Sequence, residues 1–299
     1  MTLVAIDWGT SSLRGARIDA AGRVLDERSA PRGILTVPAG GFPAVFSDLF
    51  GDWMRQGETQ CLISGMAGSR QGWIEAPYCA CPADAQAVAE HVINVEPGRI
   101  AMVPGLSDLH DGVPDVMRGE EVQIFGAMAL TGLHSGLFVL PGTHNKWVKV
   151  EAGRVLGFHT FMTGEFYALL SQQSILARTM DAQAPLDEDA FLQGLERARQ
   201  GGAGLLHHAF GARTQALFHQ MPEAALASYL SGLLIGEELR AQALDTGQSV
   251  VLVGGATLTQ RYALALDALG VATQVLGAEA TWAGAHAIHL ARQGARTPA

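Results

Sequence analysis

Apolar residues fall along this chain first as short continuous runs and later as long helical stretches. Leu3-Val4-Ala5-Ile6 is a buried-strand run that stops at Asp7. Gly9, Thr10, Ser11 and Ser12 then make a polar turn, and strands follow over about 14–19 and 23–29, joined by Ala20-Ala21-Gly22. The pattern returns over 137–161. Leu137-Phe138-Val139-Leu140 is the apolar strand, Pro141-Gly142-Thr143-His144-Asn145 the polar turn, and Lys146 to Glu151 the next strand. The string Ala-Gly-Arg-Val-Leu occurs at 21–25 and again at 152–156. One three-strand unit is therefore present twice, which predicts two domains of related build.

Strands are expected over 60–64 and 99–103, and helices over 83–91 and 120–130. The 120–130 helix carries Glu120 and Glu121 in its first turn, where the positive end of the helix dipole favours carboxylates. The second half reads as helices over 164–180, 187–199, 203–219 and 222–244. A strand over 250–253 then runs into Gly254-Gly255, and a last helix covers 281–291. The class is α/β, with an N-terminal domain over 1–118 and a C-terminal domain over 119–299. No low-complexity linker separates them, so a shared cleft with a hinge is expected. Gly232 and Gly236 lie on one face of the 222–244 helix. They permit close packing in the core or, alternatively, a homodimer interface.

Composition narrows the partners. The chain has 299 residues, 48% hydrophobic and 16% charged, with 29 acidic and 20 basic residues and a net charge of -9. That is a folded, acidic protein, which excludes broad nucleic-acid binding. No apolar run approaches the roughly 20 residues needed to cross a bilayer, so no membrane association and a cytoplasmic location are expected. The three cysteines, Cys61, Cys79 and Cys81, suit a reducing compartment and are too few for a closed zinc site. His207-His208 and His286-x-x-His289 lack a third ligand nearby.

Chemistry concentrates at three loops. Asp7-x-Gly9-Thr10-Ser11 ends the first strand. Its carboxylate can hold Mg²⁺ through water, and its glycine, N–H and hydroxyl groups can meet phosphate. Gly142-Thr143-His144-Asn145-Lys146 offers similar donors but has Leu140 where the first loop has Asp7. Two such loops facing each other would clamp a triphosphate. Gly254 and Gly255, ending a buried strand, let a nucleobase or ribose approach the backbone; a tight helix-entry turn is the alternative. No G-x-x-x-x-G-K-[ST] or G-x-G-x-x-G motif is present.

The order of these loops resembles the sugar kinases of the actin/hexokinase/Hsp70 superfold. Longer strings sharpen the resemblance: Gly65-Met66-x-Gly68-Ser69-x-x-Gly72-Trp73, Val103-Pro104-Gly105-Leu106, Val116-Met117-Arg118-Gly119-Glu120-Glu121-x-Gln123, Pro141-Gly142-Thr143-His144-x-Lys146-Trp147, Met162-Thr163-Gly164-Glu165 and Ser231-Gly232-Leu233-Leu234-Ile235-Gly236. Together they are similar to the 2-dehydro-3-deoxygalactonokinases. The resemblance implies two ribonuclease-H-like (actin-like) domains around a cleft. It also implies transfer of the ATP γ-phosphate to the 6-hydroxyl of 2-dehydro-3-deoxy-D-galactonate, in galactonate breakdown. An actin-like ATPase without a sugar substrate is the rival.

Carried onto this chain, the resemblance puts Asp7, Gly9, Thr10, Ser11, Gly142, Thr143, Lys146, Gly254 and Gly255 at ATP, with Asp7 also directing Mg²⁺. Related sugar kinases place an aspartate at a helix start before the second phosphate loop. Glu120 and Glu121 stand in that region here, so either is the expected base. Arg70 is the expected cation for the substrate carboxylate, because a guanidinium meets a carboxylate in a bidentate fork. Ser69, Thr163 and Glu165 complete the expected sugar-acid contacts, while Arg14 lies beside the phosphate loops.

Overall fold

The first apolar run extends through Thr2–Trp8 as strand β1, followed by β2 (Leu13–Ile18) and β3 (Val24–Ala30), all close to expectation. In this computed structural model, residues 2–56, 59–242, 244 and 247–295 are described. After helix α1 (Phe42–Met54) come β4 (Thr59–Ser64), β5 (Tyr78–Ala80), α2 (Ala85–Glu90), β6 (Ile93–Glu96), β7 (Ile100–Met102), β8 (Gly105–His110) and β9 (Val113–Met117). Helix α3 (Glu120–Thr131) leads into β10 (Gly136–Leu140), β11 (Asn145–Glu151) and β12 (Arg154–Phe161). Helices α4 (Thr163–Gln173), α5 (Glu188–Arg199), α6 (Leu205–Leu217) and α7 (Glu223–Arg240) then run in series. The chain closes with β13 (Ser249–Val253), α8 (Ala256–Asp267), β14 (Ala272–Leu276) and α9 (Glu279–Ala295).

Two units emerge from Cα proximity. One holds the chain up to Phe138 with 148–159 and 276 onward; the other holds 139–147 with 160–275. Both are discontinuous, whereas the expected division fell once, after Arg118. Strands β10, β11 and β12 each belong in part to both.

The first unit is built on a six-stranded sheet of order β3-β2-β1-β4-β7-β6. β1 pairs antiparallel with β2 and parallel with β4, so Asp7 stands opposite Arg14 on one side and Ser64 on the other. Helix α1, absent from the sequence expectations, covers this sheet. Phe42, Val45, Phe46, Phe50, Trp53 and Met54 follow helical spacing and bury against Val4, Ile6 and Trp8. Each such side chain contributes roughly 1.5–3 kcal/mol of burial. Trp8, fully buried beside Asp7, packs 5.2 Å from Phe42 and 6.2 Å from Trp73 and so pins the end of β1. A three-stranded sheet, β5-β8-β9, also unforeseen, delivers the chain to Arg118 and α3. Helix α2 starts later than expected because Ala83 pairs with Val155 and Asp84 caps the Ala87 N–H at 2.8 Å.

In the second unit α5 packs along α7. A Cβ on Gly232 would lie 1.9 Å from the Phe191 carbonyl oxygen of α5, so the glycine face expected on this helix is core packing. The helix expected over 222–244 ends at Arg240, and Ala243 lies outside the described residues. The helix expected over 164–180 stops at Gln173, since Ser174 caps a separate 3-10 turn (Ile175–Thr179) by accepting the Leu176 N–H at 3.1 Å. The five-stranded sheet has the order β12-β11-β10-β13-β14. Its first four positions mirror β3-β2-β1-β4, the repeat read from the sequence.

Candidate active site

The turn after β1 is held from behind. Gly9 N–H donates to Ser12 O at 2.9 Å, while Ile34 N–H and Leu35 N–H donate to the carbonyls of Gly9 and Thr10 at 3.0 and 3.3 Å. A Cβ on Gly33 would fall 2.2 Å from Thr10 O, so only glycine lets the supporting segment pass this close. Thr10 and Ser11 are left exposed, as phosphate contacts require. The Asp7 carboxylate is ion-paired with Arg14. Among the described residues no group of three carboxylate, histidine or cysteine side chains could hold a metal ion by itself. Mg²⁺ held at Asp7 would need phosphates and waters as its other ligands.

The acidic helix start reaches the same place through two glycines. Gly65, after β4, has φ +85, and a Cβ there would be 3.1 Å from Asp7 Oδ1 and 2.9 Å from Trp8 O. Gly119 has φ +107, and its Cβ position lies 3.2 Å from Gly65 Cα. Both conformations disfavour side chains, Gly65 leaves no room for one, and at Gly119 the backbone would have to yield. The first turn of α3 is thus set beside Asp7.

Its two glutamates differ sharply. Glu120 is half-buried, and its Oε2 accepts the Arg118 N–H at 3.0 Å. Glu121 is fully buried. Its Oε2 accepts the Gly119 N–H at 2.7 Å, and its Oε1 has no hydrogen-bond partner. Burial, with the Glu120 charge adding to it, pushes the Glu121 carboxyl up to about 8. Arg118, buried under Tyr78 at 4.3 Å, donates to Ala76 O at 2.8 Å, while its Nε and Nη1 are buried without partners. Ser69 Oγ is likewise buried without a partner. The Arg70 side chain is 87% exposed, lies 3.6 Å from Glu75, and lines a 440 Å³ pocket with Phe42, Pro43 and Trp73.

In the second unit the hairpin loop before β11 borders a 320 Å³ pocket lined by Gly142, Thr143, Thr163, Gly164, Tyr167 and Arg261, among others. Thr143 and His144 are exposed at its tip. Thr143 O accepts the Glu165 N–H at 3.0 Å, and His144 Nε2 lies 2.5 Å from Glu165 Oε2. Three expected contacts are already engaged inside the protein. The Gly142 N–H donates to Asn145 Oδ1 at 2.7 Å, buried Lys146 donates from Nζ to Thr160 Oγ1 at 2.7 Å, and Thr163 Oγ1 donates to Glu238. Gly254 passes near the Pro141 carbonyl, and Gly255 directly precedes α8, which matches the helix-entry turn.

The profile of the 2-keto-3-deoxy-galactonokinase family matches residues 7–288. The chain belongs to the 2-keto-3-deoxy-galactonokinase family. It is 36% identical over 288 residues to the 2-dehydro-3-deoxygalactonokinase of Escherichia coli (strain K12), covering 95% of this chain and 96% of that protein. A solved Sinorhizobium meliloti structure bearing the same enzyme name superposes with a TM-score of 0.86 at 34% identity, over 99% of this chain and 100% of that one. The activator of the 2-hydroxyisocaproyl-CoA dehydratase from Clostridium difficile, solved with bound ADPNP, shares the fold at a TM-score of 0.52 and 10% identity, over 99% and 97% of the two chains. The expected actin-like α/β fold thus holds for this member of the galactonokinase family, a family of sugar-acid kinases. No described helix is long and apolar enough to cross a membrane.

Sequence reasoning had not assigned a role to Gly33, Gly65, Gly119, Arg118, Asn145, Tyr262 or Glu238. Gly65, Gly119, Arg118 and Asn145 sat inside quoted motifs, so spacing signalled them without revealing what they do. Glu238 left no local signal.

Proposed function

We propose that this chain transfers the γ-phosphate of ATP to the 6-hydroxyl of 2-dehydro-3-deoxy-D-galactonate. The observation that carries the reading is 36% identity along nearly the whole length of the Escherichia coli enzyme of that name. In the proposed reaction the substrate hydroxyl oxygen bonds to the γ-phosphorus, the bond from that phosphorus to the bridging oxygen breaks, and ADP departs. Transfer of this kind depends on positioning and on neutralising charge.

Thr10, Ser11 and Thr143, exposed on their turns, are the proposed phosphate contacts. Gly9 and Gly142 shape those turns, and Gly254 and Gly255 border the nucleoside. Mg²⁺ carried by ATP would be directed by Asp7 through water and would neutralise phosphate charge. The hydroxyl proton is proposed to pass to Glu120. Of the two glutamates it is the one a substrate can reach, and sealed Glu121 instead braces the Gly119 turn. Exposed Arg70, paired with Glu75 at 3.6 Å, is the proposed partner of the substrate carboxylate, with Ser69 and Glu165 as further sugar-acid contacts. A cytoplasmic location goes with this activity.

The deciding experiment is coupled ADP release from the purified protein with Mg-ATP and, side by side, 2-dehydro-3-deoxygalactonate, its gluco epimer, galactonate and no sugar. Turnover with the galacto keto-acid alone is expected. Equal release with and without sugar would leave an ATPase on the same fold.

A further inference from the structure

Glu238 lies on α7, 3% exposed, and gathers four donors from three other elements. Asn145 Nδ2 and the Tyr262 hydroxyl each donate to Oε2 at 2.7 Å, and Thr163 Oγ1 donates to the same oxygen. Trp147 Nε1 donates to Oε1 at 2.5 Å. With the Asn145 amide nitrogen committed to this carboxylate, its oxygen must face the other way, and there it accepts the Gly142 N–H at 2.7 Å. We propose that Glu238 is a positioning residue for nucleotide binding, setting the conformation of the 142–145 loop and the start of α4 through Asn145 and Thr163. This inference rests on the reading above that the loop holds ATP phosphates.

The donors favour a carboxylate here. Trp147 can only donate, and the Asn145 nitrogen can only donate, while an ionised carboxylate accepts at both oxygens. A glutamine at 238 must aim its own NH₂ at one of those donors. In one orientation it opposes Trp147; in the other it opposes the Asn145 nitrogen, which keeps only the Tyr262 hydroxyl as acceptor, and so favours turning that amide over. Turning it over would set an NH₂ against the Gly142 N–H and unlatch the loop. Burial and the Glu238 charge hold the Tyr262 phenol far above its usual range, so it stays a donor.

The test is calorimetric titration of the purified full-length protein with ATP and with ADP, alongside thermal unfolding and steady-state kinetics, for wild type, Glu238→Gln and Thr163→Val. Glu238→Gln is expected to weaken nucleotide binding about tenfold or more while the KM for the sugar acid stays within about twofold. Thr163→Val keeps the carboxylate and removes one donor, and should weaken nucleotide binding about threefold; it decides alone if the glutamine variant does not fold. Unchanged nucleotide Kd in folded variants overturns the inference, as does a loss shared equally by both substrates, which is what general destabilisation would give. Failure of wild type itself to bind nucleotide would overturn the proposed function together with this inference.

Discussion

Two buried glutamates, one in each unit, receive opposite treatment. Glu121 sits under a turn that offers one N–H and leaves its other oxygen without a partner. Glu238 lies as deep, but Asn145, Trp147, Thr163 and Tyr262 surround it with donors. Burial alone disfavours a carboxylate, and only hydrogen bonds to the charged form repay the lost water. Glu121 accordingly carries a carboxyl raised to about 8, close to a neutral acid at ordinary pH. The lesson is that depth does not decide what a buried acid does; the supply of donors does. Between the two glutamates of α3, half-buried Glu120 is the proposed base.

The largest expected effect separates the two glutamates of α3. Glu120→Gln should lower kcat by about 10²–10⁴-fold, the usual worth of a general base, and Glu121→Gln should lower it far less. Equal losses in a direct rate comparison would erase the distinction. Next, Glu238→Ala would take the acceptor from buried Trp147 and Tyr262 and from half-buried Thr163, and would leave Asn145 with the Tyr262 hydroxyl alone. Urea unfolding should register a loss of several kcal/mol, at about 1–3 kcal/mol for each buried donor left unpaired; a loss below about 1 kcal/mol would mean that the cluster relaxes freely.

A pH series sharpens the contrast. Because the folded carboxyl of Glu121 is raised from 4.5 to about 8, the native state binds the proton more tightly than the unfolded chain. Its contribution is therefore fully present below the unfolded value and is lost as pH rises towards 8. Wild-type stability should fall over pH 5–8 more steeply than that of Glu121→Gln, by at most about 1.4 kcal/mol per pH unit. Parallel curves would contradict this. The smallest effect is expected from Tyr262→Phe, which removes one donor of several and should cost about 1 kcal/mol in the same denaturant assay.

Most of the elements near the two loops were legible in the sequence because they rest on local patterns. β1 to β3 and the 137–161 repeat show apolar runs punctuated by Gly and polar turns, and α3 announces itself through its acidic first turn. Helix α1 is equally legible, since Phe42, Val45, Phe46, Phe50 and Trp53 keep helical spacing. The β8–β9 hairpin is not, as its strands mix polar and apolar positions around Asp111-Gly112. The phosphate loops were found as motifs, but the direction of their hydrogen bonds was not. Gly142, Lys146 and Thr163 read as free donors and prove to be held by Asn145, Thr160 and Glu238.

The sequence by itself determined the α/β class, the repeated three-strand unit, the position of both Gly-Thr loops and the family. All of these are written in neighbouring residues or in whole motifs. Tertiary structure alone decided that Gly33, Gly65 and Gly119 are points of close backbone approach, that Glu121 is sealed while Glu120 is reachable, and that Glu238 holds the second loop. Glu238 stands 93 residues from Asn145. Whether a carboxylate that far along the chain is solvated, orphaned or saturated depends on which donors the fold brings to it, and no local pattern records that.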